Sequence, residues 1–229
     1  MDDERLLDAA KRLADRLTPG DLDGTLRQIT AAAVEVLPHV QQSSITIRHT
    51  DGTLRTVAPT DDRLLRIDAQ QYELQEGPCY VAATHEQQVI SSDLAADERF
   101  PRYGAVAVAE GVRAQIGVRL FNGPTSQGAL NLYSGQVGAF DDLGSLSALF
   151  AHQAGQAIGY AQEIDGLAQA VRTRTTIGQA VGIVMERYQL NDERAFAFLQ
   201  RLSSHRNVKL RVVAQELVAD VGDRPAADA

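Results

Sequence analysis

The residues best equipped for recognition chemistry cluster late in the chain, where Arg201, Ser203, Ser204, His205, Arg206, Asn207, Lys209 and Arg211 fall within 11 positions. Arg172, Arg174 and Arg187 form a second basic region upstream. Arginine grips phosphate with two parallel hydrogen bonds or stacks on a planar base, while Lys209 acts more as a point charge. Hydroxyl, amide and imidazole groups interleaved with the cations can reach the polar edges of the same partner. This combination suits the binding of a polyanion. For any one member the alternative is a solvated surface side chain. His205 is either a pH-sensitive contact or an exposed turn residue, and Asn207 is either a contact or the cap of a helix.

The net charge of −8 argues against a polyanion partner only until it is divided along the chain. Residues 172 to 211 hold eight basic and three acidic side chains, a local charge of +5, which leaves −13 for the remainder. A basic block on an acidic carrier fits a polyanion-binding module that does not bind indiscriminately.

Bond-making chemistry finds little support. The chain has no Gly-rich Lys-Ser/Thr phosphate loop and no Gly-x-Ser-x-Gly elbow. Pro78-Cys79 has the form of half a zinc-deaminase signature, but no second cysteine follows, and His85-Glu86 comes after it at the wrong spacing. His39, His49, His85, His152 and His205 are scattered with no two at ligand spacing, so no metal site is expected unless the fold clusters them, and no cofactor is identified. The single cysteine, Cys79, stands just after Pro78 at an expected helix start, where a thiolate can be stabilised. The competing reading is a buried structural thiol. A lone cysteine excludes an intrachain disulfide and fits a reducing compartment.

No stretch approaches a membrane span, and the acidic start Met1-Asp2-Asp3-Glu4 lacks the pattern of a secretory signal, so the chain reads as cytoplasmic, with no membrane partner.

The elements that must position the basic cluster follow from apolar spacing. Leu6, Leu7, Ala10, Leu13 and Leu17 predict one helix before the break at Pro19-Gly20, and Leu26, Ile29, Ala33, Val34 and Leu37 a second. Residues 44–48 and 54–57 flank Asp51-Gly52 as a hairpin. Further strands are expected at 88–91, 114–121 and 128–133, the last two joined through Asn122-Gly123-Pro124-Thr125, with a short helix over Tyr103 to Glu110. Together these make an α+β domain, an antiparallel sheet with flanking helices, whose strand order the sequence leaves open.

From Asp141 to about Tyr188 the spacing is helical throughout. Leu143, Leu146, Phe150, Gln153, Ala157, Tyr160, Ile164, Leu167 and Val171 recur at the 3.5-residue average of a coiled-coil seam. That stripe predicts a parallel homodimer through the 143–171 helix. The alternative is that its first half packs on its own sheet.

Three helices complete the chain. The first carries Ile177, Val181, Val184 and Tyr188 on one stripe, with Gly178 and Gly182 leaving room for a close helix. Asn191 caps the second, which buries Ala195, Phe198, Leu199 and Leu202. The third buries Leu210, Val213, Ala214, Leu217 and Val221. The expected organisation is a domain over 1–165, an all-α three-helix bundle over 166–222 joined to it by the long coiled-coil-like helix, and a disordered tail over 223–229.

The run Ile177-Gly178-Gln179-Ala180-Val181-Gly182-Ile183-Val184-Met185-Glu186-Arg187 resembles the opening helix of the ANTAR family. Ala195-Phe196, Leu199, Arg201, Ser203, Asn207-Val208-Lys209-Leu210 and Val213-Ala214 continue that pattern. Val181 and Val212 depart from it, where a lysine and an acidic residue respectively are common. The preceding domain resembles a GAF domain of the kind fused to ANTAR modules in actinobacteria. The stretches that carry this are Glu76-Gly77-Pro78-Cys79, Ser92-Asp93-Leu94, Asp97-Glu98-Arg99-Phe100-Pro101, Gly111-Val112-Arg113 and Gly128-Ala129-Leu130-Asn131-Leu132-Tyr133-Ser134.

The resemblance implies a dimeric transcription antitermination regulator. Its ANTAR bundle would bind paired stem-loops in nascent transcripts, with RNA polymerase nearby. Its GAF domain would sense an unidentified signal, such as a small-molecule ligand. On that reading Arg172, Arg174, Arg187, Arg201, Ser203, His205, Arg206, Asn207, Lys209 and Arg211 are the RNA-binding candidates. Two other readings remain open at this point, a DNA-binding helix-turn-helix-like regulator and a sensor scaffold with no nucleic-acid role.

Overall fold

Strand alternation decides the layout of the first domain. The computed structural model describes Lys11, residues 21–123 and residues 126–222. Lys11 apart, the helix expected over Leu6 to Leu17, the turn residues Pro124 and Thr125, and the tail from Asp223 lie outside the described residues. The chain forms two compact units, Met1–Glu163 and Ile164–Ala229.

The first unit runs α1 (Leu22–Val36), β1 (Gln42–His49), β2 (Leu54–Val57), α2 (Arg63–Leu74), α3 (Pro78–Thr84), β3 (Gln88–Ser91), α4 (Pro101–Ala109), β4 (Ala114–Asn122) and β5 (Ser126–Ser134), then the first turns of α5 (Gly144–Tyr188). The Asp21 side chain accepts a hydrogen bond from the Gly24 N–H at 2.6 Å and caps α1. Gly52 takes φ +84° in the β1–β2 hairpin, a value open to glycine at no steric cost. The five strands make one antiparallel sheet in the order β2-β1-β5-β4-β3.

Because side chains alternate across a strand, the two sheet faces differ in chemistry. One face presents Ile45, Ile116, Leu130 and Leu132 and is covered by Leu26, Ile29 and Ala33 of α1 and by Phe150, Ala154 and Ile158 of α5. The other presents Ser44, Thr46, Gln115, Asn131 and Tyr133, all fully buried. Leu64 and Ile67 of α2, Cys79 and Ala82 of α3, and Tyr103 of α4 belong to the apolar cluster that Tyr133 shares on this side. A side chain at Gly117 would place its Cβ 2.4 Å from the Pro78 carbonyl oxygen, so glycine there lets α3 lie directly on the sheet.

Helix α2 is absent from the sequence expectation. Its buried residues are Leu64, Ile67, Asp68 and Gln71, half of them polar, so the inward face leaves no apolar stripe to read.

The seam divides in two. Leu143, Leu146 and Phe150 sit in the core of the first unit, as the alternative reading held. The buried line then moves to Ala154, Ile158 and Ala161, while Tyr160, Ile164, Leu167 and Val171 stay 64%, 43%, 69% and 65% exposed.

The second unit takes the last turns of α5, then α6 (Asp192–Arg206) and α7 (Leu210–Gly222). Ala180, Val184, Ala195, Leu199, Val213 and Ala214 form its fully buried core, with Ile177, Phe198, Leu202, Leu210 and Leu217 packed around them. The Asn191 side chain accepts from the Arg194 N–H at 3.0 Å and caps α6. Two expectations are corrected. A Cβ at Gly178 or Gly182 would meet nothing within 4 Å, so among the described residues no helix comes close there. Tyr188 is 52% exposed, outside the core, although its ring stands 5.4 Å from that of Phe198 on α6. The Val221 side chain lies outside the described residues.

Candidate nucleic-acid interface and sensor core

In the helical unit, three of the expected cations around the α6–α7 turn are open. Arg201 near the end of α6, Lys209 in the turn and Arg211 at the start of α7 are exposed, and among the described residues none is held in an ion pair. Arg174 is likewise exposed on α5, and Arg172 donates to Gln169 Oε1 at 3.4 Å along the same helix. His205 is exposed in the last turn of α6.

The remaining expected site residues have partners within the fold. Arg206 donates from both Nη atoms to Glu216, at 2.5 and 3.1 Å. This holds the Glu216 carboxyl below its ordinary range. Arg187 meets Asp220 at 3.5 Å. Glu216 and Asp220 stand four apart on α7, on one face, so one acidic strip engages two of the arginines. The Ser203 hydroxyl donates to the Val208 carbonyl at 2.5 Å and staples the α6–α7 turn. Asn207 is the left-handed C-cap of α6, with φ 51°, and not the cap of the helix that follows. The acidic strip was not anticipated, although the i,i+4 spacing of Glu216 and Asp220 was visible in the sequence.

The first unit holds a second unanticipated feature, a buried polar network centred on Asp68. Its Oδ2 accepts from the Ser44 hydroxyl at 2.8 Å and the Thr56 hydroxyl at 3.0 Å. Its Oδ1 accepts from Gln71 Nε2 at 3.2 Å and from the Tyr133 hydroxyl. With those donors assigned, the neighbouring hydroxyls orient in turn. Asn131 Nδ2 donates to Thr46, Thr46 to the Tyr72 hydroxyl at 2.7 Å, and Tyr72 to Thr56 at 2.8 Å. On the other side the Tyr103 hydroxyl donates to Gln115 Oε1 at 2.6 Å, and Gln115 Nε2 donates to the Cys79 sulfur. Both chains lead toward one carboxylate. Burial drives the Asp68 carboxyl up to about 6, against the opposing pull of its four donors. The alternation of Ser44 and Thr46 with Ile45 and Ile47 was the available signal.

Cys79 is fully buried, and burial followed by the Asp68 charge pushes its thiol well above the ordinary value. The backbone N–H of Cys79 donates to Gln71 Oε1 at 3.0 Å. The thiolate alternative is therefore set aside in favour of a structural thiol. Among the described residues, no group of three His, Cys, Asp or Glu side chains could hold a metal ion. None of the described helices is long and apolar enough to cross a membrane.

A sheet with helices on both faces and a buried polar core, followed by a small basic helical bundle, makes a protein of two distinct parts. The comparisons with known proteins agree with that division. Residues 20–159, more than half of the chain, match the GAF domain family, and residues 165–218 match the ANTAR domain family. The chain belongs to the GAF domain family and carries an ANTAR domain after it, the arrangement of a GAF-ANTAR regulator.

No curated protein matches the chain. Solved structures do. One is the GAF domain of a phosphoenolpyruvate-protein phosphotransferase from Coxiella burnetii, with TM-score 0.55 and 13% identity, covering 72% of this chain and 99% of that one. The GAF domain of the Acinetobacter phosphoenolpyruvate-protein phosphotransferase aligns with TM-score 0.52 and 16% identity over 72% and 99%. A free methionine-R-sulfoxide reductase from Neisseria meningitidis, in complex with its substrate, aligns with TM-score 0.51 and 16% identity over 72% and 95%. At these identities the likeness concerns the fold alone.

Proposed function

We propose that the protein is a signal-responsive RNA-binding antitermination regulator. Its ANTAR bundle, taken as 166–222, binds paired stem-loops in nascent transcripts close to RNA polymerase, and its GAF domain, taken as 1–165, sets when it does so. The observation that carries this reading is the set of open cations Arg201, Lys209 and Arg211 around the α6–α7 turn of a domain matched to the ANTAR family. Phosphate recognition needs cations that are not already neutralised, and these three meet that condition. Arg172, Arg174 and His205 extend the surface, while Arg187 and Arg206 join it when their carboxylates release them. The protein acts in the cytoplasm as a homodimer through the exposed stripe Tyr160, Ile164, Leu167 and Val171, whose spacing of four, three and four residues is that of a coiled-coil seam.

The test is binding of the full chain to an RNA carrying two adjacent small-loop hairpins, titrated against salt, with an Arg201→Glu, Lys209→Glu variant and duplex DNA as competitor. Salt-sensitive binding that the variant loses and DNA fails to displace is expected. Displacement by plain duplex DNA would overturn the RNA reading.

A further inference from the structure

Tyr188, the last residue of α5, presents an aromatic ring that the core of the helical unit does not use. It is 52% exposed, and its ring lies 5.4 Å from that of Phe198 at a 39° tilt. Phe198 is half-buried against the core, so it braces one side of the tyrosine and leaves the rest open. On α6, Arg194 stands four residues before Phe198 and Arg201 three after it. That spacing puts both guanidinium-bearing residues on the helix face that carries Phe198. They are about 10 Å apart along the helix axis. Both are exposed, and among the described residues neither is held in an ion pair, unlike Arg187 and Arg206.

An exposed aromatic ring alone is an ordinary surface feature. A ring braced on Phe198, whose own helix face carries an open cation one turn to either side, is complementary to a planar group flanked by negative charges, which is the chemistry of an unpaired nucleotide. We propose that Tyr188, with Arg194 and Arg201, forms the stacking site for one splayed-out loop nucleotide of the RNA. This rests on the RNA-binding reading above. The base lies on the tyrosine ring, and the phosphates on either side of it meet the two arginines. A base within a duplex has no free face, so the site favours loops over stems and over duplex DNA. Every base has a π-face, so the contact tolerates changes of loop sequence.

The test uses the full chain and the same two-hairpin RNA, with Tyr188→Phe, Tyr188→Leu and Arg194→Gln variants. A parallel set of RNAs carries a single abasic nucleotide at each loop position in turn. Leucine retains apolar packing on Phe198 but offers no ring, and circular dichroism checks that the bundle is intact. Tyr188→Leu should weaken binding roughly 10- to 100-fold, the range of base–aromatic stacking, while Tyr188→Phe stays within about twofold of the wild type. One abasic position should weaken the wild type similarly and leave Tyr188→Leu no weaker than before. Arg194→Gln should lower the salt slope by about 0.7, one single-strand phosphate contact. Unchanged binding by a folded Tyr188→Leu chain overturns the proposal. So does a loss that persists undiminished on every abasic RNA, since that marks a structural role. If the wild type shows no salt-dependent binding to the hairpins, the RNA reading falls first and this site falls with it.

Discussion

The guanidinium of Arg206 and the carboxylate of Glu216 form a two-pronged pair, 2.5 and 3.1 Å, across the α6–α7 turn. A phosphate would have to displace that carboxylate to use the same arginine. Glu216→Gln removes the competing charge while keeping a side chain of similar size. It should tighten binding to hairpin RNA several-fold and steepen the salt slope by close to one contact, about 0.7 to 0.9. The pair is exposed, so the thermal midpoint should change little. Fluorescence titration of wild type and variant at several salt concentrations checks this. An unchanged slope would mean that Arg206 serves only the turn.

Asp68 makes a pH prediction whose sign follows from burial. Its carboxyl titrates at about 6 in the folded domain against an ordinary 3.8. A raised carboxyl favours the folded state most below about pH 4, and that contribution is lost as the pH rises through about 6. The loss amounts to about 3 kcal/mol. Asp68→Asn keeps an acceptor for Gln71 and Tyr133 and turns its amide N–H toward Ser44 and Thr56, hydroxyls that can accept. Relative to wild type, the variant should therefore become more stable as the pH goes from 4 to 8. Urea midpoints at the two ends of that window test it, and parallel pH dependences in the two proteins would refute it.

Local chemistry in the sequence anticipated the local elements and missed relations set by tertiary packing. The β1–β2 hairpin was legible because Asp51-Gly52 sits between alternating runs, and α6 because Asn191 caps a spaced apolar set. Helix α2 was hidden because Asp68 and Gln71 occupy its inward face beside Leu64 and Ile67. The placement of β1 beside β5 was hidden as well. The Asn131–Ser44 hydrogen bond there joins residues 87 apart, and no sequence window spans them. Within the candidate interface, composition identified the cations but could not say which were engaged. Arg201 and Arg206 look alike in sequence, and only the fold brings Glu216 to the second.

The exposed stripe on α5 carries a prediction about assembly. Ile164, Leu167 and Val171 are large apolar side chains, 43%, 69% and 65% exposed, at seam spacing. Burying them against a second copy would gain apolar area. Leu167→Glu, Val171→Glu puts two like charges on each side of the expected seam. The double variant should shift sedimentation from dimer to monomer by at least tenfold in dissociation constant, with the unfolding of the first unit unchanged. A dimer that survives the double substitution would place the interface elsewhere.

Asn207 separates a backbone role from an RNA contact. Its φ of 51° is the left-handed conformation that ends α6, and its N–H reaches the Ser203 and Ser204 carbonyls. Glycine takes that conformation without a Cβ penalty, whereas a β-branched residue is strained there. Asn207→Gly should preserve the thermal midpoint within a degree or two, while Asn207→Val should destabilise the helical unit by about 1 kcal/mol or more. The glycine variant then isolates the amide side chain. If Asn207 serves only as the cap, Asn207→Gly binds hairpin RNA as the wild type does. A tenfold loss in a variant of unchanged stability would instead assign its amide to the RNA interface, where sequence reasoning had placed it.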